Sequence, residues 1–454
     1  MKELDKNYII LLIIHVFIAG AIFLLPFFSK IYFIFIFIAG LLYVIKNKNK
    51  NNEVLLVSGY ITGAEVFIRA TNGALLYEFS KYSIIIFIFL GMLYSGFSKK
   101  ATAYWIYLLL LIPGVIMSVL VLNPSAEERK VISFVISGPV CLGVTALYTY
   151  QRKITVDNLY RILLAIGLPI LTLTVYLFLY TPSIKDVVQS TGSNFATSGG
   201  FGPNQVSTIL GLGFFIFASR LLLQSKNKFT VVLNAFIAII IIFRAIVTFS
   251  RGGVMTAIVM TIALFILVYF FSNKRVKAKL HYFYIFSIIA AIGLWLYSSV
   301  QTSGLIDKRY TNKDALGREK SSRLSGREDL MSSEIEIFID NPFLGAGVGK
   351  SKELREEVSG IVASSHNEIT RLLAEHGTLG VIMFIILLLT PFILYHKQHI
   401  FLIPFFIFWL LTINHAAMRI AAPAFIYALT LLKVHFNEPK KSLKRIYKMK
   451  QYNI

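Results

Sequence analysis

Charge and cysteine are what this sequence is short of. Only 15% of its 454 residues are charged, against about a quarter in a typical soluble domain. Hydrophobic residues make up 56% and the mean hydropathy is +0.70. A soluble enzyme of this length has no core large enough to hide so much Phe, Ile and Leu, so the chain is expected to be solvated by lipid. One cysteine, Cys141 within an apolar run, excludes an intrachain disulfide framework and a cysteine-rich metal cluster. Acidic residues are scarce too, 23 against 45 Lys and Arg, for a net charge of +22. That excess does not point to nucleic acid, because the basic residues are scattered between apolar runs, as in loops held on the cytoplasmic side of a membrane.

What is abundant is apolar sequence. Runs lie near 8–28, 31–45, 54–69, 82–97, 101–122, 131–149, 159–180, 205–223, 230–249, 254–272, 282–300, 377–395, 400–413 and 421–433. Most can cross a hydrocarbon layer roughly 30 Å thick as helices of about 20 residues, although those at 31, 54, 400 and 421 are short. The pattern predicts an all-α polytopic integral membrane protein with about 12–14 transmembrane helices. Lys2 and Lys6 ahead of the first run resemble a signal peptide, but the immediate second run argues for an uncleaved helix. With a cytoplasmic N-terminus every second loop should be basic. Lys46/Lys48/Lys50, Lys99/Lys100, Arg152/Lys153, Lys226/Lys228 and Lys274/Arg275/Lys277/Lys279 all fall on that side, as does the tail from Lys440 to Lys450. Both termini are therefore expected inside.

Residues 301–376 break the pattern, with 11 Lys/Arg against 13 Asp/Glu, while the rest of the chain carries 34 basic and 10 acidic side chains. This long segment is expected outside and is expected to carry function. The resulting organisation is transmembrane helices over 1–300, an extracytoplasmic helical catalytic loop over 301–376, C-terminal transmembrane helices over 377–433 and a basic cytoplasmic tail over 434–454. Within the loop, Leu330, Ile335, Ile337 and Phe338 fit an amphipathic helix over Arg327–Asp340, stopped by Asn341-Pro342. Gly345-Ala346-Gly347-Val348-Gly349 lacks the preceding strand and the following GK[ST] of a phosphate loop and reads as a turn. Ser365-His366-Asn367-Glu368 reads as a capping box opening a helix that leads into the next span.

Ionisable groups at membrane depth or at its boundary are site candidates by default. Glu65 and Arg69 lie four apart on one helix face, which fits either a self-neutralising pair or a substrate role. Arg244 and Arg251 lie seven apart and would share a face where the chain reaches the outer surface at Ser250-Arg251-Gly252-Gly253. Arg323 and Arg327 introduce the first loop helix, where guanidinium groups suit bidentate contacts with phosphate oxygens. Glu328-Asp329 lacks a third ligand for a metal. His366 follows a helix cap, where the dipole favours the neutral imidazole that a general base needs. Asn204 at one helix end, and His415 with Arg419 at the last outward turn, complete the candidates.

Taken in order, Pro203-Asn204, Ser250-Arg251-Gly252-Gly253, Arg327, Asp340-Asn341-Pro342-Phe343-Leu344-Gly345-Ala346-Gly347, His366-Asn367-Glu368 and Glu375-His376-Gly377 resemble the O-antigen ligase and polymerase superfamily over roughly residues 200–385. The resemblance implies a GT-C-like, metal-independent glycosyltransferase in the bacterial inner membrane, without a cofactor. It would take a glycan from undecaprenyl pyrophosphate at the outer leaflet. Arg251 and Arg327 would hold the pyrophosphate and His366 would activate the acceptor hydroxyl. Arg323, Arg244, Asn204, Asn367, Glu368, Arg69 and Glu65 are the further substrate-binding candidates. The expected partners are the lipid-linked oligosaccharide, membrane lipid, a flippase and a chain-length regulator, and no nucleic acid. Three activities fit. A polymerase of repeat units for O-antigen, capsule or exopolysaccharide is favoured over a ligase acting on a lipid A core. A lipid-linked oligosaccharide flippase would instead place its cations between two similar halves.

Overall fold

A computed structural model describes residues 3–122, 128–320, 327–359, 367–394, 400–415 and 417–435. In lipid every backbone N–H and C=O must be satisfied within the protein, so apolar sequence of this length folds as helix. The first half contributes α1 (Glu3–Leu24), α2 (Phe28–Asn47), α3 (Glu53–Ala70), α4 (Phe79–Ser95), α5 (Thr102–Val121), α6 (Glu128–Thr149) and α7 (Val156–Tyr180). After the short α8 (Ile184–Val187) come α9 (Pro203–Leu223), α10 (Lys228–Ile246), α11 (Arg251–Phe271) and α12 (Lys274–Gln301). The long loop holds α13 (Leu305–Tyr310), α14 (Arg327–Asp340) and α15 (Lys350–Ser359), followed by α16 (Glu368–Leu394), α17 (Ile403–Thr412) and α18 (Ala421–Leu429). Among the described residues ten helices are long and apolar enough to cross a membrane, and Phe79–Ser95 and Ile400–Thr412 are shorter apolar helices. The protein is an all-α polytopic membrane protein.

Small residues let the central helices approach closely. A Cβ on Gly63 of α3 would stand 2.1 Å from the Ile166 carbonyl oxygen of α7, and one on Gly253 of α11 would stand 2.2 Å from the Ser207 carbonyl oxygen of α9. Glycine at such contacts replaces the hydrophobic drive that is missing between helices in lipid. The outer faces carry exposed apolar side chains such as Phe35, Leu93, Leu120 and Phe270, as lipid contact requires.

The stretches at 400–413 and 421–433 form short helices. Ten residues of α17 and nine of α18 rise only about 15 Å each at ~1.5 Å per residue, half of a layer roughly 30 Å thick. Both are anchored at the end of the bundle where the basic loops lie. Leu402 shares a cavity wall with Val156 and Ser272, and after α18 the strand β2 (Lys433–His435) pairs in parallel with β1 (Lys153–Thr155). The two helices therefore form a hairpin rising from that end, and the turn between them packs against the ends of α3, α9, α11 and α16 on the side of the long loop. Irregular backbone within the bundle is tolerated only where protein buries it or where it lines a cavity.

The basic loops gather at one end. Lys48, Lys50, Lys99, Lys100, Arg152 and Lys153 border one concavity. The described residues of 301–376 pack at the opposite end, with α14 and α15 lying against α16.

Candidate active site

The site is built around the α17–α18 turn, whose backbone is bonded by charged side chains. Glu65 of α3 accepts from the Ala421 N–H at 2.6 Å, and Arg69 Nη1 donates to the Arg419 carbonyl at 2.9 Å. Glu368 of α16 accepts from the Met418 N–H at 3.4 Å, and its own N–H donates to the Ile413 carbonyl at 2.8 Å. Glu65 and Arg69 form the expected i,i+4 ion pair at 3.3 Å, both buried. The Arg69 guanidinium lies 3.8 Å from the Tyr77 ring centre and 5.2 Å from that of Phe201. Its Nε and Nη2 are buried without a hydrogen-bond partner.

On one side of the turn a cavity of about 610 Å³ opens between the bundle and the long loop. Its walls come from the loop before α4 (Leu76, Tyr77, Glu78), from α6 (Arg129 to Val135), from α15 (Ser351, Lys352, Arg355) and from α16, with Met418 and Arg419 contributed by the turn. The α16 wall is a charged ladder. Arg371 bonds Glu368 and, at 2.7 Å, Glu375, while Arg355 meets the buried Glu334 at 2.8 Å. Burying these charges is tolerable because each carboxylate has a cationic partner. Lys81 and Glu78 form a further buried pair, joined by Ser137.

The Gly345–Gly349 loop does not offer its amides to a ligand. The five N–H groups donate in turn to Asn341 O, Ala374 O, Glu375 O, Gly114 O and Glu375 Oε1. Gly345 has φ +73°, and a Cβ there would stand 2.4 Å from the Glu375 carbonyl carbon. Glycine is needed to press this loop onto α16 beside the break at Gly377 (φ 59°, ψ −137°). Gly377 is thus a kink inside a longer helix. Ser365 of the expected capping box lies outside the described residues. Asn367 accepts from the Ile369 N–H at 2.9 Å, a shorter Asx arrangement that begins the helix at Glu368.

On the other side of the turn lies a cationic centre. Two separate motif stretches meet where Ser250 donates to Asn204 Oδ1 at 2.8 Å, and His415 lies 3.0 Å from the Thr208 hydroxyl. Arg251 begins α11. The preceding Phe249 is buried with φ +58°, a left-handed conformation costly for an aromatic residue and a mark of functional strain. The Phe249 carbonyl accepts from Arg309 Nε at 3.0 Å, and Arg251 Nη1 reaches the Arg309 carbonyl at 3.5 Å. Lys320 is close enough that burial first, then Arg309 and Arg251, hold its ammonium below the ordinary lysine value. Burial pushes the neighbouring Tyr310 phenol up to about 12, against the opposing pull of Arg251 and Arg309. Three cations and a neutral phenol converging here form an environment suited to a polyanion.

Arg244 is elsewhere. It is fully buried and donates to the Thr181 and Thr197 carbonyls at 3.3 and 3.0 Å, tying the 181–198 loop to α10. The expected shared face with Arg251 fails because α10 ends at Ile246 and the left-handed Phe249 turns the chain before α11. Arg323 and His366 lie outside the described residues, as does the Arg327 side chain, although α14 begins at Arg327 as expected.

Residues 235–385 match the family model described as O-antigen ligase. Over these residues the chain is similar to the O-antigen ligase and polymerase superfamily. No curated protein matches the chain. The match spans α11 with Arg251, α13 to α15 and the first half of α16, so both the cationic centre and the charged ladder fall within it. Superfamily members are glycosyl-transferring enzymes, which supports a ligase- or polymerase-type activity here. Sequence reasoning passed over Arg309, Lys320, Arg355 and Arg371. Only Arg371 left a local signal, its spacing of three and four from Glu368 and Glu375.

Proposed function

We propose that this protein polymerises undecaprenyl-pyrophosphate-linked oligosaccharide repeat units into a surface polysaccharide by metal-independent glycosyl transfer. The observation that carries the reading is the cationic centre of Arg251, Arg309 and Lys320 beside the α17–α18 turn, with a sugar-sized cavity on the turn's other side. Arg251, assisted by Arg309, Lys320 and Arg327, neutralises the charge that develops on the pyrophosphate leaving group. His366 takes the proton of the acceptor hydroxyl as it attacks the anomeric carbon and displaces the pyrophosphate, with inversion at that centre. His366 is two residues from Glu368 in the chain, and Glu368 lines the cavity. Glu65, Arg69 and Glu368 hold the turn in shape, and Asn204 and Asn367 fix the approaches to it. The enzyme sits in the inner membrane with both termini and its basic loops in the cytoplasm, and the site faces outward.

A ligase would use the same residues and differ in taking a lipid A core sugar as acceptor. The test is to incubate purified protein with a defined undecaprenyl-pyrophosphate oligosaccharide in EDTA, with and without lipid A core. A ladder of products formed without the core supports polymerisation. A single adduct formed only with the core assigns a ligase, and activity that needs a divalent ion overturns the metal-independent mechanism.

A further inference from the structure

At the end of the molecule opposite the proposed site, three loops far apart in sequence enclose a concavity of about 820 Å³. The α2–α3 loop brings Lys48 and Lys50, the α4–α5 loop Lys99 and Lys100, and the α6–β1 turn Arg152 and Lys153. No Asp or Glu is among the residues that line it. A positive-inside bias calls for cations in these loops but not for their convergence. Six like charges around one hollow repel one another unless an anion joins them.

The floor is a fixed structure. Asn49 is buried with φ +52°, and its Nδ2 donates to the Tyr148 hydroxyl at 2.7 Å and to Ser95 Oγ at 2.9 Å. Arg152 stacks 3.7 Å from the Tyr148 ring centre. It donates from Nε to the Tyr148 carbonyl at 2.8 Å, from Nη1 to Asn52 Oδ1 at 3.3 Å, and from Nη2 to the Gly96 carbonyl. All three loops are thereby locked together. The rim runs into a lipid-facing surface: Tyr94 and Phe97 line the hollow, Phe97 packs edge-on against Trp105 at 5.8 Å, and Leu93, Phe97 and Trp105 are exposed. Aromatic side chains of this kind mark the headgroup level of a bilayer.

We propose that this concavity binds the phosphate headgroup of an anionic phospholipid, with the acyl chains laid along the exposed faces of α4 and α5. Charge complementarity selects the anion, and continuity with the apolar faces selects a lipid over a free phosphate. The inference does not depend on the transferase reading.

The test compares retention of phosphatidylglycerol and phosphatidylcholine by purified full-length protein, using native mass spectrometry after detergent extraction. Phosphatidylglycerol should be held preferentially, and Lys99→Gln/Lys100→Gln/Lys153→Gln should lower its retention by about tenfold or more. Lys226→Gln/Lys228→Gln, basic residues outside the hollow, should leave retention unchanged at an equal thermal midpoint. Equal retention of the two lipids, an unaffected triple variant, or an equal loss in the control pair would overturn the proposal. Competition by soluble glycerol phosphate at matched concentration would also overturn it, since the hollow would then read phosphate alone.

Discussion

At the scale of single residues, the guanidinium of Arg251 and the ammonium of Lys320 bear the proposed contact with the donor. Arginine presents a planar fork that lysine cannot reproduce. Arg251→Lys should therefore keep the local charge yet weaken donor affinity and slow turnover, measurable by titrating a pyrophosphate-linked donor. Unchanged values would remove the bidentate role. Lys320 makes a pH prediction whose sign follows from its depressed pKa. Between its folded value and the ordinary lysine value the unfolded chain binds more protons, so its contribution to stability rises with pH. Donor affinity should move the other way, falling as Lys320 loses its proton at a pH below that of an ordinary lysine. Lys320→Arg should flatten that fall, and an alkaline limb identical in the two proteins would exclude Lys320 from the contact.

At the scale of elements, the charged ladder on α16 holds the cavity wall. Removing Arg371 leaves Glu368 and Glu375 buried without their cation, a change that costs about 3–5 kcal/mol. Arg371→Ala should lower the thermal midpoint sharply, and Glu375→Gln in the same background should recover part of the loss. A midpoint unchanged in Arg371→Ala would mean the ladder is not closed as described. Several elements were legible beforehand. The helix Arg327–Asp340 has its stop in Asn341-Pro342, and the Glu65–Arg69 pair has its spacing. The packing of the α17–α18 turn was not legible, because hydropathy registers that 400–413 and 421–433 are apolar but not which helix ends the turn between them meets. Arg309, Lys320 and Arg355 carry no local mark, since their meaning arises from segments the fold brings together. Arg244 was misplaced because a spacing of seven implies a shared face only while the helix is unbroken, and Phe249 breaks it.

At the scale of the whole molecule, the separation of basic loops at one end from residues 301–376 at the other gives a topological prediction. Cys141 is buried, so single cysteines introduced elsewhere report cleanly. Glu356→Cys should react with an impermeant reagent in intact spheroplasts, and Lys228→Cys only after the membrane is opened. The reverse pattern would invert the orientation and remove the site from the outer leaflet. The central claim is tested most directly by the initial rate of glycan transfer from a purified undecaprenyl-pyrophosphate oligosaccharide, with parental and His366→Ala proteins compared at matched folded amounts and donor affinity measured on the same samples. A general base contributes about 10²- to 10⁴-fold, so the account predicts a fall of that size in turnover with donor affinity preserved, whereas transfer at the parental rate by His366→Ala would contradict it.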